Sequence, residues 1–154
     1  MRTLANILWH FPFFGFISAL FSFILGGILT LTVIGAPIGL GLIQHSKFLM
    51  SPFSKAMISD SKLKKDKNPL WETFGVIIQI LYFPLGLLLA FVTIIQIALL
   101  FITIIGIPVA LVLSKSLSTY FNPVNKICVP VAVRDEIEKE NAKRVVEKYL
   151  KKDK

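Results

Sequence analysis

The chain has 154 residues, 55% of them apolar, with a formal net charge of +8 and a mean hydropathy of +0.72. That apolar share is above the usual for a soluble domain, and the single cysteine, Cys128, excludes an intramolecular disulfide. The charge is segregated: residues 3–46 and 73–114, stretches of 44 and 42, hold no Asp, Glu, Lys or Arg. A hydrocarbon core takes roughly 20 apolar residues to cross as a helix, so each stretch is about two crossings long.

In chain order, Arg2 is the one charge ahead of the first block. The apolar run after it is too long for a secretory leader, and no small-x-small cleavage site follows closely, so the segment is expected to stay. Asn6-Ile7-Leu8-Trp9 opens the first half, and Asn68-Pro69-Leu70-Trp71 opens the second in the same style, 62 residues on. Trp9 and Trp71 are expected as anchors at the headgroup level, where an amphipathic ring is half wet.

A phrase then occurs twice. Thr32-Val33-Ile34-Gly35-Ala36-Pro37 returns 71 positions later as Thr103-Ile104-Ile105-Gly106-Ile107-Pro108. The same offset lays Gly15 on Gly86, and Pro52-Phe53-Ser54-Lys55 on Pro123-Val124-Asn125-Lys126. Self-similarity at a fixed spacing marks a repeat architecture. Each Gly-x-Pro is expected to break a helix, because proline lacks a donor and clashes with the preceding turn. Freed carbonyls in lipid need partners, and Thr32 and Thr103 stand ready to supply them. The break reads either as a kink shaping two packed hairpins or as the lining of a wet site. Gly26-Gly27 reads as a turn in the first half, though Ile97-Ala98 holds the matching place in the second. His10-Phe11-Pro12 and Tyr82-Phe83-Pro84 offer another bend, under which a long helix crosses and a shorter re-entrant piece returns after Gly-x-Pro. Gly39 and Gly41 read as helix packing rather than a phosphate cradle.

Lys47 and Lys115 follow the two breaks and read as lysines reaching for headgroups, or as a cation pair in a shared vestibule. Two short segments beginning at Pro52 and Pro123 are expected to pair as a small ladder. Lys55 and Lys126 lie on them as further headgroup or anion contacts. Lys62, Lys64, Lys65 and Lys67 crowd the link between the blocks, and Lys and Arg fill the tail. Short basic loops stay in the cytoplasm, so both termini and the link are expected there. Each block then crosses an even number of times. The predicted fold is an all-α integral membrane protein of two tandem, pseudo-equivalent helical hairpins in parallel repeat, with a small cytoplasmic β pairing. Its parts are a first membrane repeat at 1–58, a charged connector at 59–68, a second repeat at 69–129 and a charged tail helix at 130–154. The tail carries a thin apolar stripe of Ile137, Val145, Val146 and Tyr149.

The doubled Thr-x-Ile-Gly-x-Pro, the Asn6-Ile7-Leu8-Trp9 opening, Lys115, the two proline-led exits and Glu140-Asn141-Ala142-Lys143-Arg144 together resemble the YccF family of bacterial inner-membrane proteins. The resemblance covers nearly the whole chain and implies two copies of one domain in a small multi-pass cytoplasmic-membrane protein. It implies no activity. Ala36 replaces a bulkier residue common in the motif, and Ser54 and Asn125 stand where glycine is common.

Catalytic chemistry is not expected. His10 and His45 are the only histidines, no carboxylate lies in either apolar block, and no nucleophile, base and orienting acid assemble from such a set. No metal or cofactor site is expected, since two histidines and one cysteine at wide spacing make no zinc site and the phosphate-loop fingerprints are missing. Positive charge that follows the membrane boundary argues against nucleic acid. With no charged side chain inside the blocks, passive permeation fits better than pumping. The leading expectation is a homo-oligomeric, channel-like protein lined by Thr32, Gly35, Pro37, Thr103, Gly106 and Pro108. The alternative is a non-transporting scaffold that binds anionic lipid or a partner through its basic loops.

Overall fold

A computed structural model describes residues 2–11, 13–63 and 69–152. The elements in order are α1 (Arg2–His10), α2 (Gly15–Leu31), α3 (Ala36–Leu49), β1 (Lys55–Ser59), a 3-10 turn (Asp60–Leu63), α4 (Pro69–Ile102), α5 (Ile107–Phe121), β2 (Lys126–Pro130) and α6 (Val131–Lys152). Lys64, Lys65, Lys67, Asn68 and Pro12 lie outside the described residues.

The Gly-x-Pro phrase does not kink a helix. It is the reversal itself. In the first half the turn at residues 32–35 ends α2, and Gly35 with Pro37 starts α3, with proline in the first helical turn where no donor is missed. The Thr32 hydroxyl donates to the Leu29 carbonyl at 2.8 Å and accepts the Gly35 N–H at 3.1 Å. Thr103 repeats this, donating to Leu100 at 3.1 Å and accepting from Gly106 at 3.2 Å. Each hydroxyl thus adds a second donor to a helix-end carbonyl that already accepts the threonine's own amide, and accepts the glycine amide across the turn. Gly26-Gly27 lies inside α2 instead. Gly26 is the point where α2 and α3 touch, since a Cβ there would stand 2.8 Å from the Gly39 carbonyl. Backbones this close need glycine on at least one side.

The bend near residue 12 occurs in the first half alone. α1 and α2 meet at 77° through Phe14, which holds a left-handed conformation. In the second half α4 runs unbroken for 34 residues through Pro84. It has packing on both sides of that proline, with Gly75 against Val124 and Asn125 and Gly86 against the Phe121 carbonyl. At 1.5 Å per residue α4 is about 51 Å long, against a hydrocarbon thickness of about 30 Å. It is the one continuous helix among the described residues long and apolar enough to cross a membrane, and the bent pair α1–α2 passes the same test taken together.

The halves meet at one end. β1 and β2 pair antiparallel, Lys55 opposite Pro130 through Ser59 opposite Lys126, with Met57 opposite Cys128 at the centre. Beneath the ladder, Trp9, Phe48, Leu49 and Val112 form the core, with Phe53, Met57, Val109 and Cys128 packed against it. The core therefore draws on both halves and both strands. Pro52 and Pro123 are fully buried where the chain leaves α3 and α5. Gly41 admits the Pro123 carbonyl so closely that no side chain would fit.

Candidate membrane-surface site

The two ends of the molecule differ in chemistry. At the turns between helices, Leu31, Val33, Ile34, Ile104 and Ile105 are exposed and no charge is present; Ile104 is 86% exposed. At the ladder end the described cations collect. Lys47, Lys55, Lys62, Lys115, Lys126 and Arg134 all sit on elements that touch the two strands. They are close enough to act on one another: Lys62 repels Lys126, and Arg134 and Arg2 repel Lys115. Such a cluster attracts an anionic surface and is destabilising without one.

The individual cations differ. Lys55 donates to the Lys47 carbonyl at 3.2 Å. Lys115 is exposed along its stem, yet its ammonium turns inward, donating to the Pro52 carbonyl at 3.1 Å and standing 4.6 Å over the Phe53 ring. It ties α5 to the exit of the first half. Lys47 is exposed. Lys126 is half-buried, and burial, then the charge of Lys62, pushes its pKa below the usual lysine value. Burial likewise pushes the Cys128 thiol up, with Lys55 and Lys47 opposing, so it resists becoming the reactive thiolate.

The two tryptophans have separate roles. Trp9 is only 5% exposed, and its indole N–H donates to the Leu49 carbonyl at 2.8 Å, which places it in the core. Asn6 on the same helix donates to the Ser54 hydroxyl at 2.9 Å and accepts the Phe53 amide at 3.0 Å. Trp71 is 41% exposed, in the position suited to an interfacial ring. In the second half the hydroxyl of Tyr82, not a tryptophan, donates to the Tyr120 carbonyl at 3.1 Å, the position 71 residues after Leu49.

Of the residues singled out from sequence, Thr32, Gly35, Pro37, Thr103, Gly106 and Pro108 make up the two turns. Pro37 also borders a hollow of about 200 Å³ that reaches Trp71 and Lys126. Sequence reasoning passed over two of the hollow's polar neighbours, Gln44 and Asp60, and noted the third, Asn125, only as a departure from glycine. Asn125 is left-handed, at φ 56°, which explains why glycine suits that place. It also passed over the pair at the centre: His45 is fully buried and its Nε2 lies 3.0 Å from the Ser116 hydroxyl. Ser116 donates to the Val112 carbonyl at 2.9 Å, so its oxygen accepts from His45. The signal was available, because 45 and 116 are 71 apart, as are 57 and 128. Among the described residues no group of three or more His, Cys, Asp or Glu is placed to hold a metal.

Residues 4–55 match the YccF family model, described as an inner membrane component domain. The match covers the first half, from the start of α1 to the first residue of β1. That segment is thus similar to an inner membrane component domain, which supports a membrane location. No curated protein and no solved structure matches the chain.

Proposed function

We propose that the protein is a non-enzymatic, multi-pass inner-membrane protein that binds anionic lipid headgroups with the basic side chains around its ladder. The two halves, α1–α3 and α4–α5, act as tandem hairpins whose uncharged turns lead into the hydrocarbon. The ladder, both termini and the connector remain at the cytoplasmic face. α3 and α5, at 14 and 15 residues, are about 21 and 22 Å long and too short to cross alone, so each returns as a re-entrant arm of its hairpin. The large exposed apolar area of the helices suits lipid and contact with further copies of the chain in a homo-oligomer.

The observation that carries this reading is the polarity of the molecule. Apolar turns occupy one end, and the basic side chains of Lys47, Lys55, Lys62, Lys115 and Lys126 surround the ladder at the other, with Arg134 beside them paired to Asp135 at 2.6 Å. Basic residues at a membrane surface contribute about 1 kcal/mol each toward anionic lipid. The oligomeric channel keeps the same embedding and adds a path lined by the Gly-x-Pro residues. It ranks second because the hydroxyls of Thr32 and Thr103 are engaged inside their own turns. Native mass spectrometry of detergent-purified protein separates the two. Phosphatidylglycerol adducts should outnumber phosphatidylcholine adducts, and the Lys47→Gln/Lys55→Gln/Lys62→Gln variant should lose that preference. Equal adduct numbers in variant and parent remove the headgroup reading. Steady conduction in planar bilayers, with altered ion preference in Lys115→Glu, puts the channel first.

A further inference from the structure

The two halves meet their exits differently. In the first half, Asn6 bonds the backbone and side chain at 53–54, Trp9 is buried alongside, and Lys115 reaches across from α5 to the Pro52 carbonyl. The space around that exit is filled by the protein's own polar groups. Around the second exit, 71 residues later, Gln44 stands in the place of Lys115 and reaches the Cys128 amide at 3.3 Å. A hollow of about 200 Å³ remains there, between α3, the start of α4 and the entry to β2.

Its lining mixes polar and apolar side chains. Gln44, Asn125, Lys126 and Asp60 contribute the polar part, and the exposed Trp71 also borders it. Lys55, the counterpart of Lys126 by the 71-residue offset, has a carbonyl partner at 3.2 Å. The Lys126 ammonium makes no hydrogen bond or ion pair among the described residues. It is half-buried, with Lys62 pressing on the same charge. A half-buried ammonium without a partner is costly, and a bound anion relieves it.

We propose that this hollow is a discrete site for the phosphate of one glycerophospholipid, held by Lys126 with Gln44 and Asn125 and with Trp71 against the glycerol region. The volume suits a headgroup and not the acyl chains, which lie along the apolar helices outside it. This rests on the headgroup-binding reading and sharpens it from a diffuse surface to one bound molecule.

The test is native mass spectrometry of the full chain released from membranes in mild detergent, followed by lipid extraction. Wild-type protein should retain one phospholipid per chain after delipidation that strips the weaker adducts. Lys126→Gln should cut that occupancy at least tenfold, and Lys126→Arg should restore it. Thermal melts of each variant in detergent confirm that it folds. The Lys47→Gln/Lys55→Gln pair should reduce the weak anionic adducts and leave the retained lipid in place. Retention in Lys126→Gln equal to wild type overturns the site while leaving the headgroup reading intact. Absence of both retained lipid and weak adducts in the wild type overturns both. Displacement of the lipid by millimolar inorganic phosphate overturns the assignment to a phospholipid in favour of free phosphate.

Discussion

Met57 and Cys128 offer a decisive perturbation of the junction between the halves. They face each other at the centre of the ladder. The Asp60 amide donates to Asn125 at 2.8 Å and the Val131 amide donates to Ser54 at 3.0 Å, which makes those two pairs hydrogen-bonded. Counting inward by alternation leaves 57 opposite 128 as a non-hydrogen-bonded pair, and the Cys128 amide indeed turns outward to Gln44 at 3.3 Å. Such pairs have Cα atoms about 4.5 Å apart, at the short edge of the range a disulfide spans. Met57→Cys should therefore oxidise to a cross-strand disulfide with Cys128. The closed loop holds 72 residues, counting both ends, and cross-linking a loop of that size constrains the unfolded chain by about 4 kcal/mol. Trimming Met57, which packs against the core, costs roughly 1–2 kcal/mol by lost contacts. The net gain of about 2–3 kcal/mol corresponds to a rise of roughly 4–12 °C in Tm for a chain of this size. Because burial raises the Cys128 pKa, oxidation should be faster at higher pH, where more thiolate forms. Mobility on non-reducing gels and melts with and without reductant read the outcome. Ala56→Cys, one position out of register, should not cross-link. Bridging at 56 in preference to 57 would refute the register and the pairing of the halves built on it.

Three further outcomes are expected. Gly41→Ala should lower stability by about 1–3 kcal/mol, because the Pro123 backbone carbonyl occupies the space, whereas Gly27→Ala, with nothing within 4 Å, should be neutral or mildly stabilising; equal melts would contradict the close approach of α3 to the second exit. Ser116→Ala strands a fully buried His45 N–H and should cost about 1–3 kcal/mol, a loss that detergent melts will detect or deny. Thr103→Val and Thr32→Val each remove a hydroxyl serving two backbone groups, and each should cost about 1 kcal/mol with little change in packing. A stability unchanged in both would show that the turns do not depend on the hydroxyl.

The amino-acid sequence by itself determined the apolar blocks, the doubled Thr-x-Ile-Gly-x-Pro and the strand-forming exits, because these depend on composition and on local backbone chemistry that proline, glycine and threonine impose wherever they occur. It did not decide what the phrase does. Whether Gly-Pro kinks a helix or ends one depends on what packs beside it, and close contact of α2 with α3 at Gly26 and Gly39 made it the reversal. Tertiary structure alone put Trp9 inside and left Trp71 at the surface, since their flanking sequences are alike and their difference lies in which carbonyl comes within reach. The same holds for the lysines. Lys55, Lys115 and Lys126 read alike as charges beside an apolar block, yet Lys55 bonds the Lys47 carbonyl within its own half, and only the meeting of the two halves gives Lys115 a backbone carbonyl and Lys126 a polar hollow.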